Sequence, residues 1–116
     1  MDDEKLCFVI MPFHKKLDEV YKYGIKPAVE ESGYYCVRAD ELSGVRNIAR
    51  DIIEHIFHAS IIIADLTGQN PNVFYELGVA HSVDNKTIMI TQDIQSIPFD
   101  IKSYRIISYE QTIEGA

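Results

Sequence analysis

The chain has little from which to build a covalent or metal framework: of its 116 residues only two are cysteine, Cys7 and Cys36. Two thiols alone cannot hold a metal, and each lies in an apolar, strand-like run, so both read as buried, reduced core residues. Basic charge is scarce as well. Eleven Lys and Arg against 18 Asp and Glu leave a formal net charge of −7. That argues against the broad basic face a nucleic-acid polymer requires, though not against one small nucleotide held by local contacts. No apolar run approaches membrane-spanning length, so no membrane partner is expected. The opening Met1-Asp2-Asp3-Glu4-Lys5 is acidic and precedes only a short apolar run, unlike a secretory leader, so the expected location is cytoplasmic. There is no G-x-G-x-x-G or Walker loop and no G-x-S-x-G turn. The histidines, His14, His55, His58 and His81, lack ligand spacing beyond the His55–His58 pair, which has no third ligand. No metal and no cofactor are expected. Repeats, low-complexity stretches and linkers are also missing.

What remains is an ordinary globular composition, 47% hydrophobic, in a length that makes one domain with a real core. Leu6 to Met11 is a continuous apolar run closed by Pro12, the pattern of a strand buried on both faces. Leu17 to Glu31 places Leu17, Val20, Tyr21, Ile25, Ala28 and Val29 at helical spacing, and Pro27 predicts a kink or restart near Gly24. Tyr34 to Val37 reads as a second strand and Asp40 to Val45 as a polar loop. Asn47 to Phe57 is a second helix, Ile61 to Ala64 a third strand closed by Asp65, and Pro71 to Val83 a third helix. Lys86 to Thr91 and Tyr104 to Tyr109 give strands four and five, with a mostly loop segment from Ile94 to Lys102 between them.

This alternation predicts an α/β, flavodoxin-like three-layer fold with a five-stranded mostly parallel sheet in the order 2-1-3-4-5. Ligands in such sheets bind beyond the carboxyl ends of the strands where the order reverses. Here that point lies between strands one and three, beside Pro12-Phe13-His14 and Asp65-Leu66-Thr67-Gly68. No closing helix follows the fifth strand in the sequence. One side of the sheet is therefore expected to be bare, either because the chain is part of a longer protein or because a partner chain covers it.

The third helix, PNVFYELGVAHSV, carries a single charged residue, Glu76. Val73, Val79, Ala80 and Val83 lie three, four or seven positions away. A carboxylate among apolar neighbours favours its neutral form unless donors or cations hold the anion, and such groups mark functional sites. The alternative is a partly exposed Glu favoured by the helix dipole, and the helix pattern alone leaves both open. Asn70 and Pro71 are a good N-cap and first helical residue. Asn70 and Asn72 also stand where a ligand's hydroxyls could converge. Asp65 can bond the following turn or accept from a ribose hydroxyl. Asp40 and Glu41, at the same sheet edge, read first as solvated acids, with Asp40 the candidate for a site role.

The run Ala64-Asp65-Leu66-Thr67-Gly68-Gln69-Asn70-Pro71-Asn72-Val73-Phe74-Tyr75-Glu76-Leu77-Gly78-Val79-Ala80-His81 resembles the nucleoside 2-deoxyribosyltransferase-like superfamily, in the branch with an ADLTGxNPNVFYELGxAH signature. Phe8 to Phe13 is similar to that branch's first strand, and Ile97-Pro98-Phe99-Asp100 with Arg105 to its C-terminal part. The resemblance spans nearly the whole chain as one domain, residues 1–116. It implies a fold related to TIR domains and N-glycosidic chemistry on a small-molecule nucleoside or nucleotide. The Glu of the Glu-Leu-Gly motif, matched by Glu76, would attack the anomeric carbon. Asp65, Thr67, Asn70 and Asn72 would surround the sugar, and Phe13 or Tyr75 would stack on the base. The resemblance also implies a homo-oligomer. Three positions depart from the family. Asn70 replaces a sugar-binding Asp, which weighs against transfer between ordinary deoxynucleosides. Phe13 stands near a family Tyr, and Asp51 lies one position from a family Asp. A non-catalytic, nucleotide-binding TIR-like signalling or defence domain is the alternative these departures leave.

Overall fold

In the computed structural model, residues 5–42, 48–83, 86–98 and 105–111 are described. Five strands form one sheet: β1 Leu6–Ile10, β2 Tyr35–Arg38, β3 Ile61–Asp65, β4 Lys86–Thr91 and β5 Ile106–Ser108. Their order is β2-β1-β3-β4-β5 and all four pairings are parallel. The expected order and fold class hold, with the sheet fully parallel over the described strands. β1 is buried at every position, as its unbroken apolar sequence requires of a strand covered on both faces.

Alternate residues of the sheet feed two separate cores. Phe8, Ile10, Ile62, Ala64 and Met89 pack with Ile56 of α3 (Ile48–His58) and with Val73, Leu77 and Ala80 of α4 (Pro71–Ser82). Cys7, Val9 and Cys36 face the opposite way, onto Leu17, Val20, Tyr21 and Ile25. Both cysteines are buried and free, as expected. Burial pushes their thiols up, Cys7 to about 12 and Cys36 to about 11, so they stay protonated and inert.

The first helical segment begins at Lys15, two residues earlier than its apolar pattern shows, because His14 serves as N-cap and accepts from the Lys16 backbone N–H. It runs through α1 (Lys15–Val20), a π-helical stretch Tyr21–Ile25 and α2 (Lys26–Glu31). Pro27 has no N–H to return to the Tyr23 carbonyl, so the ladder widens by one residue and Lys26 N–H reaches Tyr21 O instead. The predicted interruption is therefore a π-turn. The second strand is shifted by one residue and ends on Arg38, whose buried guanidinium leaves no hydrophobic signal.

On the α1 side of β3, β4 and β5 stand Ile61, Ile63, Ile88, Ile90 and Ile107, and Ile88 and Ile107 are exposed by 42% and 51%. Ile61, Ile63 and Ile90 pack against the α1 cluster, while Ile88 and Ile107 remain exposed among the described residues. The expected starts of helix two at Asn47 and strand five at Tyr104, and the Phe99-Asp100 part of the family pattern, lie outside the described residues.

Candidate functional site

The third strand ends in Asp65, and the chain then turns sharply through Leu66, Thr67, Gly68 and Gln69. Gln69 N–H bonds Leu66 O at 3.2 Å and Gly68 sits at φ +83°, a type II turn in which glycine avoids the side-chain clash of the left-handed region. Gln69 follows at φ +53°, unusual for a residue with a side chain. The turn delivers Asn70 to the start of α4. Its Oδ1 accepts from Asn72 N at 2.8 Å and Val73 N at 3.3 Å, and Pro71 occupies the first helical position. Val73, Leu77 and Ala80 then face the sheet. Glu76, one residue before Leu77, falls at the border of that face, on the side toward the crevice.

There it lines a cavity of about 390 Å³ at the carboxyl end of β1, the point where the strand order reverses. Met11, Pro12 and Phe13 form one wall, Ile52 and Ile53 of α3 another, and Asn70, Asn72 and Tyr75 the rest with Glu76. A volume of this size is at the lower end of small-ligand sites. Glu76 is the one acid among the described lining, and no described donor bonds its carboxylate. Burial without a partner raises its pKa to about 7. Glu76 is partly exposed, and of the two readings the sequence leaves open, its place on the cavity wall with a raised carboxyl favours the functional one.

The remaining candidates divide. Phe13, Asn70, Asn72 and Tyr75 do meet Glu76 at the cavity. Phe13 and Tyr75 are 62% and 69% exposed, so neither is spent on the core. Asp65 is corrected: it is fully buried and does not line the cavity. Its Oδ1 accepts from Thr67 N at 3.0 Å and Thr67 Oγ1 at 2.6 Å, and its Oδ2 from the Tyr109 hydroxyl. Burial and that bond push Tyr109 up to about 12. Asp65 is thereby the anchor of the turn, the first of its two sequence readings, and is buried away from the cavity. Thr67 does not meet Glu76 at the cavity: its hydroxyl bonds Asp65 and accepts from Gln92 N at 3.0 Å, and it lines a neighbouring cavity instead. Asp40 is corrected as well, since both its oxygens hold Arg38, at 2.7 and 2.6 Å. Its neighbour Ala39 lines the cavity instead.

Arg38 is the residue sequence reasoning missed. It is 3% exposed, bonds Asp18 at 2.9 Å as well as Asp40, and lies 4.6 Å from the Tyr21 ring centroid and 5.5 Å from that of Phe13. Its guanidinium backs the ring that walls the Glu76 cavity. The one available signal was a lone basic residue closing an apolar strand. Asp51, near the family's second-helix Asp, is 8% exposed and does not line the cavity, whereas Ile52 and Ile53 do. Among the described residues no group of three or more His, Cys, Asp or Glu could hold a metal, and no helix is long and apolar enough to cross a membrane.

Fold and crevice together define a flavodoxin-like α/β protein with a ligand-sized cavity at its topological switch point. The arrangement is similar to a solved structure described as a 2-desoxiribosyltransferase from Leishmania mexicana, with a TM-score of 0.65 and 21% sequence identity. The match covers 77% of this chain and 65% of that one, so this chain spans less than two thirds of that protein. At that identity the likeness establishes a deoxyribosyltransferase-like fold. No protein-family model and no curated protein matches the sequence.

Proposed function

We propose that this protein cleaves or transfers the N-glycosidic bond of a nucleoside, nucleotide or dinucleotide, with Glu76 as the nucleophile. The observation that carries the proposal is a half-buried carboxyl, with no partner among the described residues, on the wall of a nucleoside-sized cavity. The fold neighbour, a deoxyribosyltransferase by its description, supports the same chemistry. The Glu76 carboxylate would attack the anomeric carbon as the bond to the base breaks, the bonding pair leaving with the base. Water or a second base would then release the glycosyl group. Asn72, and Asn70 through its amide N–H groups, would hold sugar hydroxyls, and Phe13 and Tyr75 would cover the base.

The test is base release from a panel of nucleosides, nucleoside monophosphates and NAD by wild type and Glu76→Ala. The expected result is release from at least one substrate and loss of release in the variant. No release from any substrate, or equal rates in the two proteins, contradicts the proposal. Ligand-induced stabilisation without turnover would instead support the non-catalytic binding domain, which Asn70 in place of the family's Asp favours.

A further inference from the structure

Beside the Glu76 cavity, on the other side of Phe13, lies a second cavity of about 460 Å³. Pro12, Phe13 and Asn70 line both, so the two cavities adjoin. The chemistry of the second is opposite to that of the first. Its ionisable lining residues, among those described, are Lys16 and His14, with no acid. This is a basic pocket in a protein of net charge −7.

Lys16, His14 and Asn70 keep side-chain donors that no described acceptor takes. No described acceptor bonds Lys16 Nζ. His14 Nδ1 accepts from Lys16 N at 3.2 Å, which in the neutral ring puts the proton on Nε2, where no described group takes it. Asn70 Oδ1 is committed to capping α4, so the Nδ2 donors are what it has left to offer a ligand. An Asp at this position would offer oxygens to hydroxyls; Asn70 offers N–H groups to an oxyanion. The wall is braced from across the sheet: Gln111 Nε2 donates to Lys16 O at 2.9 Å, Gln92 Nε2 lies 3.4 Å from Gln111 Oε1, and Gln92 N bonds Thr67 Oγ1.

We infer that this second cavity binds a phosphoryl group of the substrate, so that the ligand is a phosphorylated nucleoside with its glycosidic bond at Glu76 and its phosphate at Lys16, His14 and Asn70. The phosphate belongs either to a nucleoside 5′-monophosphate or to the pyrophosphate of a dinucleotide. Placing the sugar and base in the first cavity rests on the Glu76 proposal; the anion site itself does not.

Calorimetric titration of the full chain tests it with inorganic pyrophosphate, adenosine, adenosine 5′-monophosphate and NAD, on wild type, Lys16→Glu and Glu76→Ala. Lys16 is exposed, so its substitution leaves the fold intact. Pyrophosphate is expected to bind wild type and Glu76→Ala alike and at least about tenfold more weakly to Lys16→Glu, with an affinity that falls as salt rises. Adenosine 5′-monophosphate is expected to bind at least about tenfold more tightly than adenosine, a gap that Lys16→Glu closes. The tighter of the monophosphate and NAD identifies the source of the phosphate. No pyrophosphate binding, binding indifferent to Lys16→Glu, or equal affinity for adenosine and its monophosphate overturns the inference. Pyrophosphate binding without base release from any substrate leaves the anion site standing and removes the Glu76 reading. Base release without pyrophosphate binding does the reverse.

Discussion

Arg38 lies buried behind the Phe13 ring that walls the crevice, Glu76 lies half-buried on the wall itself, and the fold treats them oppositely. Burial disfavours the Arg38 charge, but hydrogen bonds from its guanidinium to Asp40 and Asp18 more than restore it, and two aromatic rings cover what remains. Nearby Glu41 is held below its ordinary value in the same way: burial alone would raise it, but Lys26, the Tyr21 hydroxyl and the Arg38 backbone N–H outweigh that. Glu76 has no such partner among the described residues, and burial alone pushes it to about 7. A buried guanidinium with each of its nitrogens hydrogen-bonded is architecture. A half-buried carboxyl with no partner among the described residues, beside a cavity, costs stability, and under the proposed function that cost serves the ligand.

The sharpest way to break that contrast is Glu76→Gln, which keeps shape and removes the nucleophile. Base release should fall by at least about 10⁴-fold, roughly 5.5 kcal/mol of transition-state stabilisation, with the folded structure unchanged by circular dichroism. Arg38→Leu attacks the other member. It severs charge-assisted bonds but strands carboxylates that are partly exposed, so the loss should be about 3 kcal/mol in urea denaturation, below the extreme for a fully buried pair. Asp65→Asn separates turn anchor from sugar ligand. It should cost about 2 kcal/mol of stability, because an amide NH₂ would meet donors from Thr67 or Tyr109. The KM of the surviving folded enzyme should hardly move. Phe13→Ala should raise KM about tenfold, near 1.4 kcal/mol, with little effect on thermal stability, since the ring is largely exposed.

Most of the architecture was legible because β1 and β3 are buried on at least one face throughout and announce themselves as apolar runs, and because alternation with helices admits few topologies. The one-residue shift of β2 was hidden by Arg38, a charged residue in a core position. The π-turn was hidden because a proline in a helix reports a missing hydrogen bond without saying how the backbone absorbs it. Glu76 was legible as the single charge on α4. The misplaced roles of Asp65 and Asp40 share a cause. The hydroxyl that consumes Asp65 lies 44 residues away at Tyr109, and the cation that consumes Asp40 is itself fixed by Asp18, 20 residues upstream of Arg38. Such closure is invisible to local pattern. The second cavity draws on the segments around His14, Thr67, Gln92 and Gln111, too far apart in sequence to register as a motif.

The pH dependence of stability gives a smaller but independent check. The Glu76 carboxyl keeps its proton to about pH 7 in the folded protein against 4.5 for the ordinary group. Its contribution to stability is therefore intact below pH 4.5 and is lost as pH rises through 7. Glu76→Gln cannot ionise, so its melting temperature should exceed that of wild type at pH 8, with the difference shrinking as pH is lowered to 5.

The most direct measurement is the titration of the Glu76 side-chain carboxyl itself, followed by carbon-13 NMR in the ligand-free protein and assigned with Glu76→Gln. A midpoint near 7 is predicted, from burial with no partner to hold the anion. A midpoint at or below the ordinary 4.5 would mean that the carboxylate is solvated or paired, and would contradict the account of Glu76 as the unpaired acid of this crevice.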